Sequence, residues 1–395
     1  MRFSTSDARV KNGQLNMSEM QPQPTDTTPR SSDAAPIRPE ELPPVEPPSS
    51  GYIVQLFLIP ALIVAAVVAV WALFGKLADS GDNWQQMVVD LGSGNEHRRG
   101  RAAHGLSQLL RNEEIAPPKD RTPLAQQPEV VDSLTQLLDE SLKSVSQAPA
   151  DLQHQSFLAR TVGSLDADDK TLPVLAKALQ PDVNSDVRQS ALMSVAMIAG
   201  RKLEQRTGYA ERRDSGEASE PNLPEPVTEP TIKNEEIWQG LLTASRDNES
   251  VVRHLAAFAI GNVGGPEALD QLRSLLYDND PRTRANAALG LTRNGSVDGL
   301  PVVIDLLREA TKPWDARPSK GMSEEQAAAE MAFHTVEQPQ IVRNCLRAVF
   351  DLQTRMTDEQ LREVREIITT LAESYHTPDV RSQAGSLLKE LGTEA

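Results

Sequence analysis

Ser185-Asp186-Val187-Arg188-Gln189-Ser190-Ala191-Leu192, Asp280-Pro281-Arg282-Thr283-Arg284-Ala285-Asn286-Ala287-Ala288 and Thr377-Pro378-Asp379-Val380-Arg381-Ser382-Gln383-Ala384 are three versions of one pattern. Each has an acidic residue, a proline or both, then an arginine, then a small residue three positions on. Counted from the arginine, offsets 3 and 7 are Ala191 and Val195, Ala287 and Leu291, and Ala384 and Leu388. The pattern recurs at Arg253 (Ala256, Ile260), Arg343 (Leu346, Phe350) and Arg99 (Ala102, Leu106), with a weaker copy at Gln155 (Leu158, Val162). Offsets 0, 3 and 7 share one face of a 3.6-residue helix, so each copy predicts an amphipathic helix.

A second apolar run precedes most of these helices. Leu172 to Leu179 is one, Leu269 with Leu272, Leu275 and Leu276 another, and Leu300 with Val303, Ile304 and Leu307 a third. The repeating unit is therefore two helices joined by a short polar turn. Asp280 before Pro281, and Thr377 before Pro378, read as an N-cap followed by proline in the first helical turn. Gly200, Gly264, Gly295 and Gly392 stand where helices are expected to stop. Successive markers are separated by 56, 33, 65, 31, 59 and 38 residues. Three spacings fit one hairpin, and the longer three need an extra helix or an insertion. Seven units result, and an internal repeat of this period predicts an all-α solenoid.

The pattern resembles HEAT repeats of the phycobilisome-lyase type, in which the second helix opens with Asp-x-x-Val-Arg or Asp-Pro-x-Val-Arg and continues with alanines and leucines. The likeness spans about residues 83–395 and is carried best by Asp186 to Arg188, Asp280 to Arg284 and Asp379 to Arg381. It implies that acids and arginines of adjacent units bond along the stack. Arg188, Arg253, Arg284, Arg343 and Arg381, with Asp186, Asp280 and Asp379, would then form an interior ladder. Arginines lining an anion-binding groove are the alternative at these positions. Such a fold hosts scaffolds and enzymes alike, so function has to come from the site.

Between the units, Thr207 to Asn234 holds Pro221, Pro224, Pro226 and Pro230 and several glutamates, and is expected to be a disordered insertion. Thr311 to Glu337 is expected to be an insertion carrying a short helix, Glu324 to Phe333. Its Trp314 and Phe333 either cap a neighbouring groove or await a partner.

Ahead of the repeats, residues 1–50 contain nine prolines and predict a disordered tail. No charged residue occurs from Pro47 to Gly75, and the 22 residues Ile53–Phe74 are nearly all apolar. As one helix they would rise about 33 Å, enough for a ~30 Å hydrocarbon core. The expectation is one transmembrane helix over 52–77 and a single-pass membrane protein. A signal peptide does not fit a run that starts so late and lasts so long. Lys76, Arg98, Arg99 and Arg101 on one flank, against Arg30 and Arg38 on the other, lean slightly toward a cytoplasmic C-terminal region.

Composition narrows the function. The 395 residues carry 40 Lys and Arg against 56 Asp and Glu, a formal charge of −16, which disfavours nucleic acid as a partner. One cysteine, Cys345, leaves no disulfide framework and no multi-cysteine metal site. The six histidines precede Arg98, Gly105, Gln155, Leu255, Thr335 and Thr377. The His-Glu dipeptides that hold the di-iron centre of deoxyhypusine hydroxylase, an enzyme built on similar repeats, are therefore missing. No phosphate-binding glycine loop or nucleophile elbow occurs, and no cofactor is expected.

What stacked hairpins do offer is a concave face lined by their second helices. Gln189, Met193, His254, Phe258, Asn286, Leu289 and Asn344 are the positions expected to look onto it, with a protein partner as occupant. The expected function is a membrane-anchored, non-catalytic protein-binding scaffold; the alternative is an accessory or catalytic subunit acting on a protein substrate.

Overall fold

The computed structural model describes residues 51, 58–59, 61–71, 84–144, 146, 148–207, 229–314 and 321–392. The chain divides into two compact units, Met1–Ala78 and Asp79–Ala395. The expected tail, residues 1–50, lies outside the described residues.

In the first unit the expected transmembrane helix over 52–77 is not found. Among the described residues no helix is long and apolar enough to cross a membrane. Residues 52–57, 60 and 72–77 of the expected span lie outside the described residues. The single-pass membrane placement and the cytoplasmic side deduced from it are overturned together.

The second unit has fifteen α-helices among its described residues, and they pair into seven hairpins. Their first helices are α1 (Trp84–Leu91), α3 (Pro128–Leu142), α5 (Asp168–Ala178), α7 (Glu235–Ala244), α9 (Pro266–Leu275), α11 (Leu300–Ala310) and α14 (Asp358–Ser374). The second helices are α2 (Glu96–Ile115), α4 (Pro149–Val162), α6 (Ser185–Thr207), α8 (Ser250–Val263), α10 (Pro281–Arg293), α13 (Gln338–Leu352) and α15 (Pro378–Glu390). Helix α12 (Glu324–Ala332) is the extra one and passes through a π-helical turn, Phe333–Glu337, straight into α13. No strand occurs among the described residues.

Local chemistry sets the helix starts. The Asp280 carboxylate accepts from the Thr283 amide at 2.7 Å, capping α10 just ahead of Pro281. Ser323 with Gln326, and Thr357 with Gln360, form capping boxes on α12 and α14. Thr377 occupies the N-cap of α15 but makes no side-chain cap bond. At the other ends, Gly264, Gly295 and Gly392 follow their helices with φ of 69°, 77° and 75°, the left-handed region that glycine enters without a Cβ penalty. Gly200 differs from expectation: α6 continues through it to Thr207.

Two apolar clusters fill the unit, and they meet within α10. Ala287 and Leu291 belong to the cluster reaching back to Val88, whereas Ala288 and Leu289 belong to the one running forward to Leu391. Neighbours pack on neighbours, as in a solenoid. Every second helix touches the next, from α2 on α4 to α13 on α15.

Of the insertion expected over 207–234, residues 208–228 lie outside the described ones. Its last residues are packed: the Thr231 amide donates to the Val263 carbonyl at 2.8 Å, and Ile232 is buried.

The tightest crossing joins α8 to α10. A Cβ added at Gly261 would lie 2.8 Å from the Gly290 Cα, closer than real Cβ atoms come to backbone. Gly261→Val is therefore expected to destabilise the protein by about 1–3 kcal/mol through overpacking, measured by urea unfolding. Gly200→Ala, whose new Cβ would meet only the Asn262 side-chain nitrogen at 3.8 Å, is expected to raise stability by up to ~1 kcal/mol in the same assay.

Candidate functional site

Five of the marker arginines first close their own hairpins. Arg99, Arg253, Arg284 and Arg381 all donate to the carbonyl six residues upstream, in the turn before their own helix: Ser93, Asp247, Asp278 and Tyr375. Arg188 does the same to Val183 at 2.6 Å and Pro181 at 3.2 Å. Gln155, buried in the arginine position, donates instead to the Ser141 carbonyl at 2.7 Å.

Four of the markers reach the following hairpin. Arg188 pairs with Asp247 at 2.7 Å, Arg253 with both oxygens of Asp278 at 2.9 and 3.1 Å, Arg99 with Asp151 at 3.1 Å, and Arg343 with Asp379. Asp247 and Asp278 thus serve two arginines each, the carboxylate taking the preceding hairpin's and the backbone carbonyl taking their own. Burial alone would raise the Asp278 carboxyl, but bonds from Arg253 and the Asp280 amide outweigh it and hold the group below its ordinary range.

This corrects the expected pairing at two positions. Asp186 pairs with no arginine among the described residues, and Asp280 spends its carboxylate on Thr283. The acids that bond, Asp247 and Asp278, were missed. Their signal was the Asp-Asn dipeptide six residues before Arg253 and again before Arg284.

A second set of bonds ties one second helix to the next. The Ser194 hydroxyl donates to the Ala159 carbonyl at 2.7 Å, Asn262 to Ala196 at 3.1 Å, Asn286 to His254 at 2.8 Å, Asn294 to Gly261 at 2.7 Å and Gln383 to Arg343 at 3.1 Å. Each supplies a partner to a polar side chain held in a closely packed seam, where an unmet group is costly.

The seven positions expected to face a groove all lie on these second helices. Gln189, Met193, His254, Phe258, Asn286 and Asn344 are half-buried, and Leu289 is buried. Phe258 leans on the core, with the Arg293 guanidinium 5.7 Å above its ring. Arg293 also donates to the Asn262 side-chain oxygen. Burial pushes its pKa down and the nearby Arg347 adds to that. Arg293 was not among the expected residues; a second arginine nine positions after Arg284 was the available sign.

In the insertion, Trp314 stacks on His334 with ring centres 4.7 Å apart and lies 5.9 Å from His376. The His376 side chain donates to the His334 carbonyl at 2.9 Å, and Arg282 sits over Phe333 and pairs with Glu337 at 2.8 Å. Trp314 and Phe333 are half-buried in contacts within the chain.

Among the described residues no group of three or more His, Cys, Asp or Glu is placed to hold a metal ion. Cys345 is fully buried, and burial pushes its thiol up to about 12.

Residues 239–317, from α7 through α11, match the family model of HEAT repeats. This segment is a HEAT-repeat array. The Asp247–Arg253–Asp278–Arg284 chain of bonds and the Gly261–Gly290 crossing both lie inside it. A comparison with curated proteins finds no match. Among solved structures, an engineered protein is 17% identical over 78% of this chain and 96% of its own, with a TM-score of 0.33. A designed armadillo repeat protein is 17% identical over 66% of this chain and 100% of its own, with a TM-score of 0.34. Human deoxyhypusine hydroxylase in complex with glycerol is 15% identical over 81% and 99%, with a TM-score of 0.27. Likenesses at that level decide neither fold nor function.

Asp278→Ala is expected to cost about 3 kcal/mol, because it strands the partly buried Arg253, whereas Asp186→Ala is expected to stay within ~0.5 kcal/mol. Urea unfolding of the two variants distinguishes the paired acid from the unpaired one.

Burial, reinforced by Arg99 at His154 and by Arg282 at His254, holds both imidazoles below their ordinary value. A depressed folded pKa favours folding above the unfolded value of about 6.5, a contribution lost as pH falls through the folded values. The melting temperature is expected to drop on acidification from neutral pH, and to drop less in a His154→Gln/His254→Gln double variant.

Proposed function

We propose that this chain is a non-catalytic scaffold that takes a protein partner on the face of its second helices. The observation that carries the proposal is the row of half-buried, mixed residues that follow the marker arginines: Gln189 and Met193 on α6, His254 and Phe258 on α8, Asn286 on α10 and Asn344 on α13. HEAT repeats generally serve as protein-interaction scaffolds. Residues that are partly open and neither uniformly polar nor uniformly apolar suit a protein interface, whose composition is close to that of ordinary surface with an apolar centre. The ladder arginines are engaged within the chain, Arg188, Arg253, Arg284 and Arg381 by turn carbonyls and Arg343 by Asp379 and Gln340.

The non-catalytic part of the proposal is supported by the sulfur and the imidazoles. A thiol whose pKa stands near 12 holds no useful thiolate at neutral pH. Histidines distributed along the hairpins do not converge with a nucleophile.

Photo-crosslinking on the full chain tests the proposal. A benzophenone amino acid at Gln189 or Asn344 is expected to capture a protein partner in stoichiometric yield. The same probe at Glu359, exposed on α14, is expected not to. Equal capture at all three positions, or at none, would overturn the docking face.

A further inference from the structure

Arg293 stands apart from the marker arginines of the second helices. Arg188, Arg253 and Arg343 have carboxylates, and Arg284 and Arg381 are held by turn carbonyls. Arg293 has one side-chain amide oxygen, that of Asn262, and the face of the Phe258 ring. Among the described residues no carboxylate pairs with it. Its charged neighbour is another cation, Arg347 on α13, whose own acid, Asp351, lies 3.6 Å from Arg347.

A guanidinium has five N–H donors in a planar fork. Partly withdrawn from water, set on an aromatic ring and facing a like charge, it keeps most of those donors for something outside the chain. Taking a charge out of water without a counter-ion is unfavourable, and an arriving carboxylate relieves that cost with a bidentate fit. Beneath the guanidinium lies the half-buried ring of Phe258. An aromatic face beside the cation suits an apolar side chain carried next to the acid.

The overall charge limits the visitor further. At −16 the chain repels a polyanion at long range, so the fit is to an isolated carboxylate in apolar surroundings and not to an acidic tract or nucleic acid. From this geometry we infer that Arg293, over Phe258, anchors a single Asp or Glu of a partner protein segment whose adjacent residue is apolar. The inference rests on the docking face proposed above and names the chemistry of its occupant.

A random 16-residue peptide library, displayed on phage and selected on the full chain, tests it. The expected result is enrichment of peptides with Asp or Glu beside a large apolar residue. A synthetic peptide of the enriched sequence should lose about tenfold or more in affinity on Arg293→Met, as for a hydrogen bond to a charged group, while the melting curve stays unchanged. Replacing the peptide's acid by its amide should cost the same, and combining both changes should cost little more. If Arg293→Met does not fold, the peptide substitution on the unaltered protein decides.

Enriched peptides without an acidic residue, or binding indifferent to both changes, would overturn the carboxylate anchor and leave the scaffold standing. Peptides displaced by millimolar inorganic phosphate would overturn it in favour of a phosphorylated partner. Failure to enrich any peptide would count against the docking face itself.

Discussion

Backbone-to-backbone approach between successive second helices is the constraint on which the rest of the repeat unit depends. At Gly261 and Gly290 two helices come together with no room for a single added carbon, and at Gly163 a Cβ would fall 2.5 Å from the Ser194 side chain. Helices that close cannot interdigitate long side chains at the crossing point. They leave polar atoms of one helix against carbonyls of the other, which is why Ser194, Asn262 and Asn294 are buried there and bonded across the seam. The larger side chains are displaced to the flanks of the seam, and Met193, Phe258 and Arg293 are half-buried for that reason.

The arginines add a second continuity on the side of the turns. Asp247 and Asp278 each receive two guanidiniums, so Arg188, Asp247, Arg253, Asp278 and Arg284 form one bonded chain across three hairpins. Such pairs matter less as isolated attractions than as a means of register, because each sets how far one hairpin slides along the next.

Much of this was legible before any coordinates. The arginine markers and their apolar offsets identified the second helices, and the three first helices read from Leu172, Leu269 and Leu300 are present. The periodicity was readable because the helical period of 3.6 residues is imposed locally. The pairing acids were not readable on the same basis. Asp278 is 25 residues from Arg253 and Asp247 is 59 from Arg188, so the distance depends on what is inserted between hairpins. Asp186 and Asp280 stand at a short spacing from their arginines and imitated partners, while Asp280 was already committed to its helix start. The membrane placement read from the charge-free run Ile53–Phe74 is not upheld either: hydropathy sums composition, whereas a spanning segment also has to be one long apolar helix, and none is found among the described residues. Arg293 escaped notice because burial beside a like charge is a property of the assembled face, not of its own helix.

The two kinds of bond made by Arg99, Arg188 and Arg253 also differ in when they become available during synthesis. The clasp onto a carbonyl five to seven residues upstream can close as soon as its own helix has left the ribosome. The carboxylate that completes Arg188 emerges 59 residues later, which at ~5–20 residues per second is several seconds of translation. A newly made hairpin therefore waits with its turn secured and one side of its guanidinium open. The nascent solenoid grows by docking each new pair onto an already shaped end, in the order in which it is made.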